Sequence, residues 1–336
     1  MHAIDLFSIG NALVDQEFSI SDDFLQQHAL QKGTMQLGDA AAQSRLYENL
    51  TASQNFRCQA AGGSAANSVV AFAAMGGQAF YACRVGDDVF GQQYLQGLNE
   101  AKVLCSNQSI SQGTTGSCLV MISPDSERTM HTYLGTSAEL SAEQIDFNAL
   151  QSAQWMYIEG YLSSSPAARI AVVAARKIAR EHQVKIALSL SDPAMVQYAR
   201  EGLDELLGDG VDLIFCNAQE ALMYTQSADL EQAMQKLLHL AQQVVITLGA
   251  DGAMVADHKQ QFKVAGRPVH AVDTTGAGDA FSGAMLYALQ QRMSLQRATA
   301  FAVLVSSEVV AQFGPRLTLQ QYRHLLQQFQ QEKAQA

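Results

Sequence analysis

The sequence predicts a three-layer α/β/α domain on a mostly parallel central sheet, carrying a small β-rich lid. Three observations predict it. Short apolar runs alternate with longer helical stretches along most of the chain, which is the rhythm of a parallel sheet covered on both faces. Two stretches of mixed character, residues 11–58 and 106–136, break that rhythm between strands. Finally, 336 residues with 48% hydrophobic and 16% charged content can bury one large core.

The elements follow in order. Residues 4–9, IDLFSI, read as a buried opening strand stopped at Gly10. Residues 64–75 read as a helix of small residues that ends at Gly76-Gly77, residues 79–85 as the next strand and 88–101 as a helix. WMYIEG (155–160) is a predicted strand, and Pro166 is well placed to open a helix over 166–182. Residues 184–190, 212–217 and 244–249 are further strands, and 277–290, 294–312 and 318–333 are helices. Residues 11–58 show no long helix. Residues 113–134 read as a hairpin, with alternating residues on either side of a PDSE turn. Both stretches are expected to leave the main body and form the lid, within one compact domain over residues 1–336.

Charge and cysteine content exclude several classes. The net charge is −11, so the overall field does not attract nucleic acid or an anionic membrane. Positive potential for an anion must then be local, as helix N-termini provide. Five cysteines, Cys58, Cys83, Cys105, Cys118 and Cys216, include no C-x-x-C pair, which argues for a reducing compartment and against a disulfide framework. The opening MHAIDLFSIG lacks a basic n-region, and no run reaches the ~20 apolar residues of a membrane span. A cytoplasmic location is the expectation. The eight histidines are scattered without H-E-x-x-H spacing, which disfavours catalytic zinc.

The strongest chemical signal is DTTGAGDAF, residues 273–281. A glycine turn feeding an apolar helix aims backbone N–H groups at one point and suits an anion or developing negative charge. Asp279 sits in the first helical turn. It can serve as a dipole partner there, or as the base that accepts a proton from a hydroxyl attacking a γ-phosphorus. No Walker A sequence occurs, and G-A-G-D-A-F lacks the third glycine of a dinucleotide fingerprint.

Four weaker signals accompany it. Gly62-Gly63 allows close backbone approach, and Ser64 and Asn67 follow at a helix start, where Asn67 can either cap or present donors and an acceptor to hydroxyls. Asp15 follows the first strand in GNALVD, with Asn11 at its head; carboxylates at strand C-termini point into the ligand crevice. Asn217 and Glu220 are spaced either as a capping box or as oxygen donors toward Mg²⁺. Thr247, Gly249 and Gly252 in TLGADG either line a nucleotide or make a plain hairpin turn.

Together these stretches resemble the ribokinase-type, or PfkB, family of carbohydrate and nucleoside kinases, in the same order over residues 4–320. GGSAAN (62–67) with VGDDVFG (85–91) resembles the first family signature and DTTGAGDAFSGA (273–284) the second. Asn217-Ala218-Gln219-Glu220 is similar to the N-x-x-E motif, with Ala where Pro is commoner. The resemblance implies a ribokinase-like fold and an ATP-dependent kinase acting on a hydroxymethyl group. It implies Asp279 as base, and an anion hole from the N–H groups of Gly276, Ala277 and Gly278. It implies Asp15, Gly63 and Asn67 on substrate hydroxyls, with Arg128 approaching from the lid. Glu220 would meet Mg²⁺ through water, and Asp273, Thr275 and Gly314 form a candidate K⁺ set. GNALVD and the serine of GGSAAN look most like adenosine-kinase-like bacterial members, with Phe18, Tyr133 and Tyr161 as candidates for stacking on a base. Rival substrates are ribose, fructose or a keto-deoxy sugar acid, the last needing a cation such as Arg84 or Arg128. A non-catalytic nucleoside or sugar sensor is the rival of another class. The expected partner is a small molecule, with neither nucleic acid nor membrane, and the chain is expected as a monomer or homodimer.

Overall fold

The structure, a computed structural model, describes residues 4–52, 56–125 and 127–332. A nine-stranded sheet forms the body. From one edge it runs Gln261–Val264, Ala253–Asp257, Ala241–Thr247, Val211–Asn217, Lys185–Ser189, Ala153–Glu159, Ile4–Ile9, Ala79–Ala82 and Val103–Cys105. Neighbours are parallel from Ala241–Thr247 to the far edge, and the first two strands add an antiparallel hairpin.

Side chains alternate across this sheet with the strand period of two. Trp155, Tyr157, Ala187, Leu213, Phe215 and Val245 face one core, shared with helices Ser64–Ala74, Ala277–Gln290 and Leu295–Val310. Met156, Ile158, Ile186, Leu188, Ile214 and Ile246 face the other, under helices such as Pro166–Glu181. That double burial is why the strands read as near-continuous apolar runs. The expected strand over 79–85 stops at Ala82, and Val85–Gly86 pairs separately with Ile110–Ser111.

A separate five-stranded sheet is ordered Met35–Leu37, Arg128–Gly135, Thr115–Ile122, Leu13–Ser19, Phe56–Ala61. Its strands come from residues 13–61 and 115–135, and residues 106–111 lie against the body. Contrary to the reading of residues 11–58 as lacking a long helix, a 13-residue helix, Ala40–Ala52, covers this sheet's outer face. Its Leu46 and Leu50 pack with Phe18, Ile20, Leu119 and Met121. Leu46, Leu50 and Gln43 are its buried residues, a stripe too thin to show in sequence. All five cysteines are free thiols. Among the described residues no helix is long and apolar enough to cross a membrane.

Candidate active site

Two helices of small residues create the site. Ser64–Ala74 and Ala277–Gln290 approach so closely that a Cβ on Gly283 would lie 2.3 Å from the Ser68 carbonyl oxygen. Ser64 and Asn67, three residues apart, share the face turned toward the partner helix. Ser64 Oγ donates to Asp279 Oδ1 at 2.6 Å, and Asn67 Nδ2 donates to Asp279 Oδ2 at 2.9 Å. Burial pushes the Asp279 carboxyl up, and these two hydrogen bonds and the cations Arg128 and Arg316 oppose the rise. A carboxylate that stays a competent acceptor near neutral pH is what a general base needs.

The turn before Asp279 is locked from below. Gly276 has φ 73°, the left-handed region, and a Cβ there would lie 2.4 Å from the Pro315 carbonyl oxygen. Asp273, fully buried, accepts from the Thr275 amide at 2.8 Å and hydroxyl at 2.6 Å, and from the Gly314 amide at 3.0 Å. Asp273, Thr275 and Gly314 therefore do come together. The Ala277 amide does not join an anion hole as expected, because it donates to the Thr274 carbonyl at 3.3 Å. Among the described residues, the amides of Gly276, Gly278 and Asp279 have no protein acceptor, and space beside Gly278 is open.

The lid supplies the opposite wall. Asp15 is 8% exposed and no described side chain or amide hydrogen-bonds its carboxylate. A Cβ on Gly62 would lie 2.0 Å from Asp15 Oδ2, so the missing side chain is what makes room for it. Burial raises the Asp15 carboxyl to about 7, with the charge of Glu17 and Asp279 adding to the rise and Arg316 and Arg128 opposing it. Glu17, two residues on and on the same face, accepts from Cys58 Sγ at 3.3 Å while its Oε1 is buried without a partner. Cys118 lies opposite Asp15 in the sheet, and Cys118, Val120, Leu13 and Met130 form an apolar cluster on this face.

This geometry can be set beside known proteins. Residues 35–321 match the pfkB family carbohydrate kinase family. The chain belongs to that family. The structure superimposes on the crystal structure of adenosine kinase from Sinorhizobium meliloti with a TM-score of 0.91 and 31% identity, covering 97% of this chain and 99% of that one. A probable sugar kinase from Rhizobium etli CFN 42 gives a TM-score of 0.92 and 30% identity, covering 98% and 99%. The ribokinase of Lactococcus lactis is 28% identical over 255 residues, 75% of this chain and 80% of its own length. The protein is thus a PfkB-family kinase of sugars or nucleosides.

A second group of polar residues lies at the next strand ends. Asn217 and Glu220 form a complete capping box: the Asn217 amide and Nδ2 donate to Glu220 at 2.9 and 2.6 Å, and the Glu220 amide donates to Asn217 Oδ1 at 2.8 Å. Burial pushes Glu220 up to about 8, with Asp192 adding to the rise. Both Glu220 oxygens are engaged, so water-mediated contact with Mg²⁺ fits this carboxylate better than direct ligation. Among the described residues no cluster of three metal-ligating side chains occurs. Thr247 ends its strand, and Gly249 and Gly252 lie in the short turn that joins Ala241–Thr247 to Ala253–Asp257.

Several expected contributors point elsewhere. Phe18 is fully buried on the lid's outer face, and Tyr133 shares its strand face with His131, which bonds Gln43 of the covering helix. Only Tyr161 keeps the company of the site, near Asp192, Asp279 and Arg128. Arg84 is tied to Glu139, donating to its carbonyl and its carboxylate at 3.0 Å, and offers no free cation for an acidic substrate. Arg128, on the lid strand, acts electrostatically on both Asp15 and Asp279. The Asn11 amide donates to Glu159 Oε1 at 2.6 Å and its carbonyl accepts from Tyr81, while its Oδ1 is buried without a partner among the described residues.

Two residues escaped the sequence reading. Glu159, 1% exposed, also accepts from the Ala65 amide at 2.8 Å and so ties the first strand end to the helix bearing Ser64. Arg316 donates from Nε to Asn67 Oδ1 at 2.7 Å. Neither contact leaves a local pattern, since the partners lie 94 and 249 residues apart.

Proposed function

We propose that this kinase transfers the γ-phosphoryl group of ATP to the hydroxymethyl group of a nucleoside, adenosine-like in shape, with Asp279 as the base. The observation that carries the chemistry is the Asp279 carboxylate, held by Ser64 and Asn67 beside helix amides without protein acceptors. The substrate oxygen attacks the γ-phosphorus, its proton passes to Asp279, and the bond to the bridging oxygen of ADP breaks. The amides of Gly276, Gly278 and Asp279 and the helix dipole stabilise charge on the transferring group. Mg²⁺, when bound with ATP, supplies further neutralisation of phosphate charge.

The lid supports the nucleoside assignment. An open, buried carboxylate at Asp15 suits a vicinal diol, and the apolar cluster of Leu13, Cys118, Val120 and Met130 suits a flat base. The relative named adenosine kinase aligns over nearly the whole chain. Gly63 and Asn67 would complete the hydroxyl contacts and Arg128 would approach the phosphates. Glu220 would hold Mg²⁺ through water, with Thr247, Gly249 and Gly252 along the nucleotide. Asp273, Thr275 and Gly314 would offer their remaining oxygens to K⁺. A sugar such as ribose is the second reading, favoured by the ribokinase relative. ADP release measured across a panel of nucleosides and sugars with Mg²⁺, with and without K⁺, decides between them. Turnover of sugars but of no nucleoside overturns the first reading; tight binding with no turnover identifies a sensor.

A further inference from the structure

We propose that Arg316 is a positioning residue, which fixes the Asn67 side-chain amide so that its Nδ2–H faces Asp279. An asparagine amide carries an acceptor on one side and two donors on the other, and its orientation is chosen by its partners. Arg316 is donor-only, and its Nε bonds Asn67 Oδ1 at 2.7 Å. Flipping the amide would set N–H against N–H at Arg316 and oxygen against oxygen at Asp279. The guanidinium thereby leaves one arrangement, in which Nδ2 donates to Asp279 Oδ2 at 2.9 Å. With Ser64 on the other oxygen, the carboxylate is held at two points before any substrate arrives.

The placement of Arg316 is itself built. The Gly314 amide is bonded to Asp273, and the Pro315 carbonyl lies under Gly276. Residues 314–316 thus form a short bridge. It links the carboxylate that braces the anion-binding turn to the asparagine that orients the base. The Arg316 Nη2 is buried without a hydrogen-bond partner among the described residues, while the residue as a whole is half-buried. Ser64 and Asn67 hydrogen-bond Asp279, and the groups coupled to it electrostatically are Arg128 and Asp15 on the lid, Glu159, Tyr157, Tyr161, Tyr322 on the last helix, and Arg316. Among these, Arg128 and Arg316 are the cations that favour ionised Asp279. Loss of Arg316 therefore raises the Asp279 pKa further and keeps the base protonated to higher pH.

The inference rests on Asp279 being the base, and the experiment separates the two. In Arg316→Met, kcat is expected to fall about 10- to 100-fold, as when a reacting group loses its alignment. KM for the accepted alcohol should rise by less than kcat falls, because Gly63 and Asp15 still meet the hydroxyls although Asn67 is no longer fixed. The acid limb of the kcat profile should move to higher pH. Added guanidinium should restore part of the turnover of Arg316→Ala. Carbon-13 NMR titration of the Asp279 carboxyl in the unliganded protein, assigned with Asp279→Asn, should show the same upward shift without any turnover measurement. Circular dichroism, with Arg316→Lys as the charge-conserving control, excludes loss of fold. An unmoved acid limb and an unmoved Asp279 titration in Arg316→Met overturn the inference, as does a fall in kcat that guanidinium leaves untouched. Full turnover in Asp279→Asn would instead overturn the assignment of the base, whereas the NMR titration still decides the role of Arg316.

Discussion

The two walls of the cleft differ in how their polar groups are satisfied. On the body side nearly every oxygen has a partner: Asp279 with Ser64 and Asn67, Asn67 with Arg316, Asp273 with Thr275 and Gly314. On the lid side Asp15 has none among the described residues, and one oxygen of Glu17 is buried unpaired. An unpaired buried acceptor costs on the order of 1–3 kcal/mol, a cost removed when a ligand donates to it. In the proposed reading the body wall is therefore preorganised for chemistry, and the lid wall keeps open acceptors for the substrate.

The largest expected effect breaks the body wall. Asp279→Asn should lower kcat by about 10²–10⁴, the usual contribution of a general base, with the fold intact by circular dichroism. Asp15→Ala tests the lid wall. We expect KM for the accepted alcohol to rise about 10- to 100-fold and kcat to change less, since a ground-state contact is lost. Equal losses in kcat for both variants would erase the distinction between the walls. Gly283→Val should cost about 1–3 kcal/mol in a denaturant titration, because the new Cβ collides with the Ser68 carbonyl. The same variant should lower kcat, as Ser64 and Asn67 are pushed away from Asp279.

The smallest effect concerns stability and pH. The Asp15 carboxyl titrates at about 7 in the fold against an ordinary 3.8. The folded state thus binds this proton more tightly, and the stability so gained is complete below 3.8 and is lost as pH rises through 7. Asp15→Asn should accordingly raise Tm at pH 8 and give little gain at pH 4. A gain that is equal at both pH values would show that ionisation is not the cause.

The body of the fold was legible because its strands are buried on both faces and several of its helices open at Pro, Ser or Gly. The lid was half legible. Alternation exposed the Thr115–Ile122 and Arg128–Gly135 pair, yet the helix Ala40–Ala52 buries only Gln43, Leu46 and Leu50 and has no strong apolar stripe. Face assignment failed for Phe18 and Tyr133, because alternation gives two faces without saying which one a helix covers. At the site, Ser64, Asn67 and Asp279 stood out by motif, but their mutual contact spans more than 200 residues of chain. Arg316 and Glu159 act only through such distant contacts, and no local spacing marks them.

The proposed acceptor of the proton, Asp279, and the amides proposed to meet the phosphate sit together at the start of one helix, Ala277–Gln290, with Gly276 as its N-cap. Their spacing along the chain follows the helical rise of about 1.5 Å per residue, and the brace from Asp273 and Pro315 holds that first turn in place. In the proposed reading, a change in the alcohol accepted would fall to the five-stranded lid sheet, while this helix start stays as it is. The cutting edge stays ground to one angle while the handle is changed.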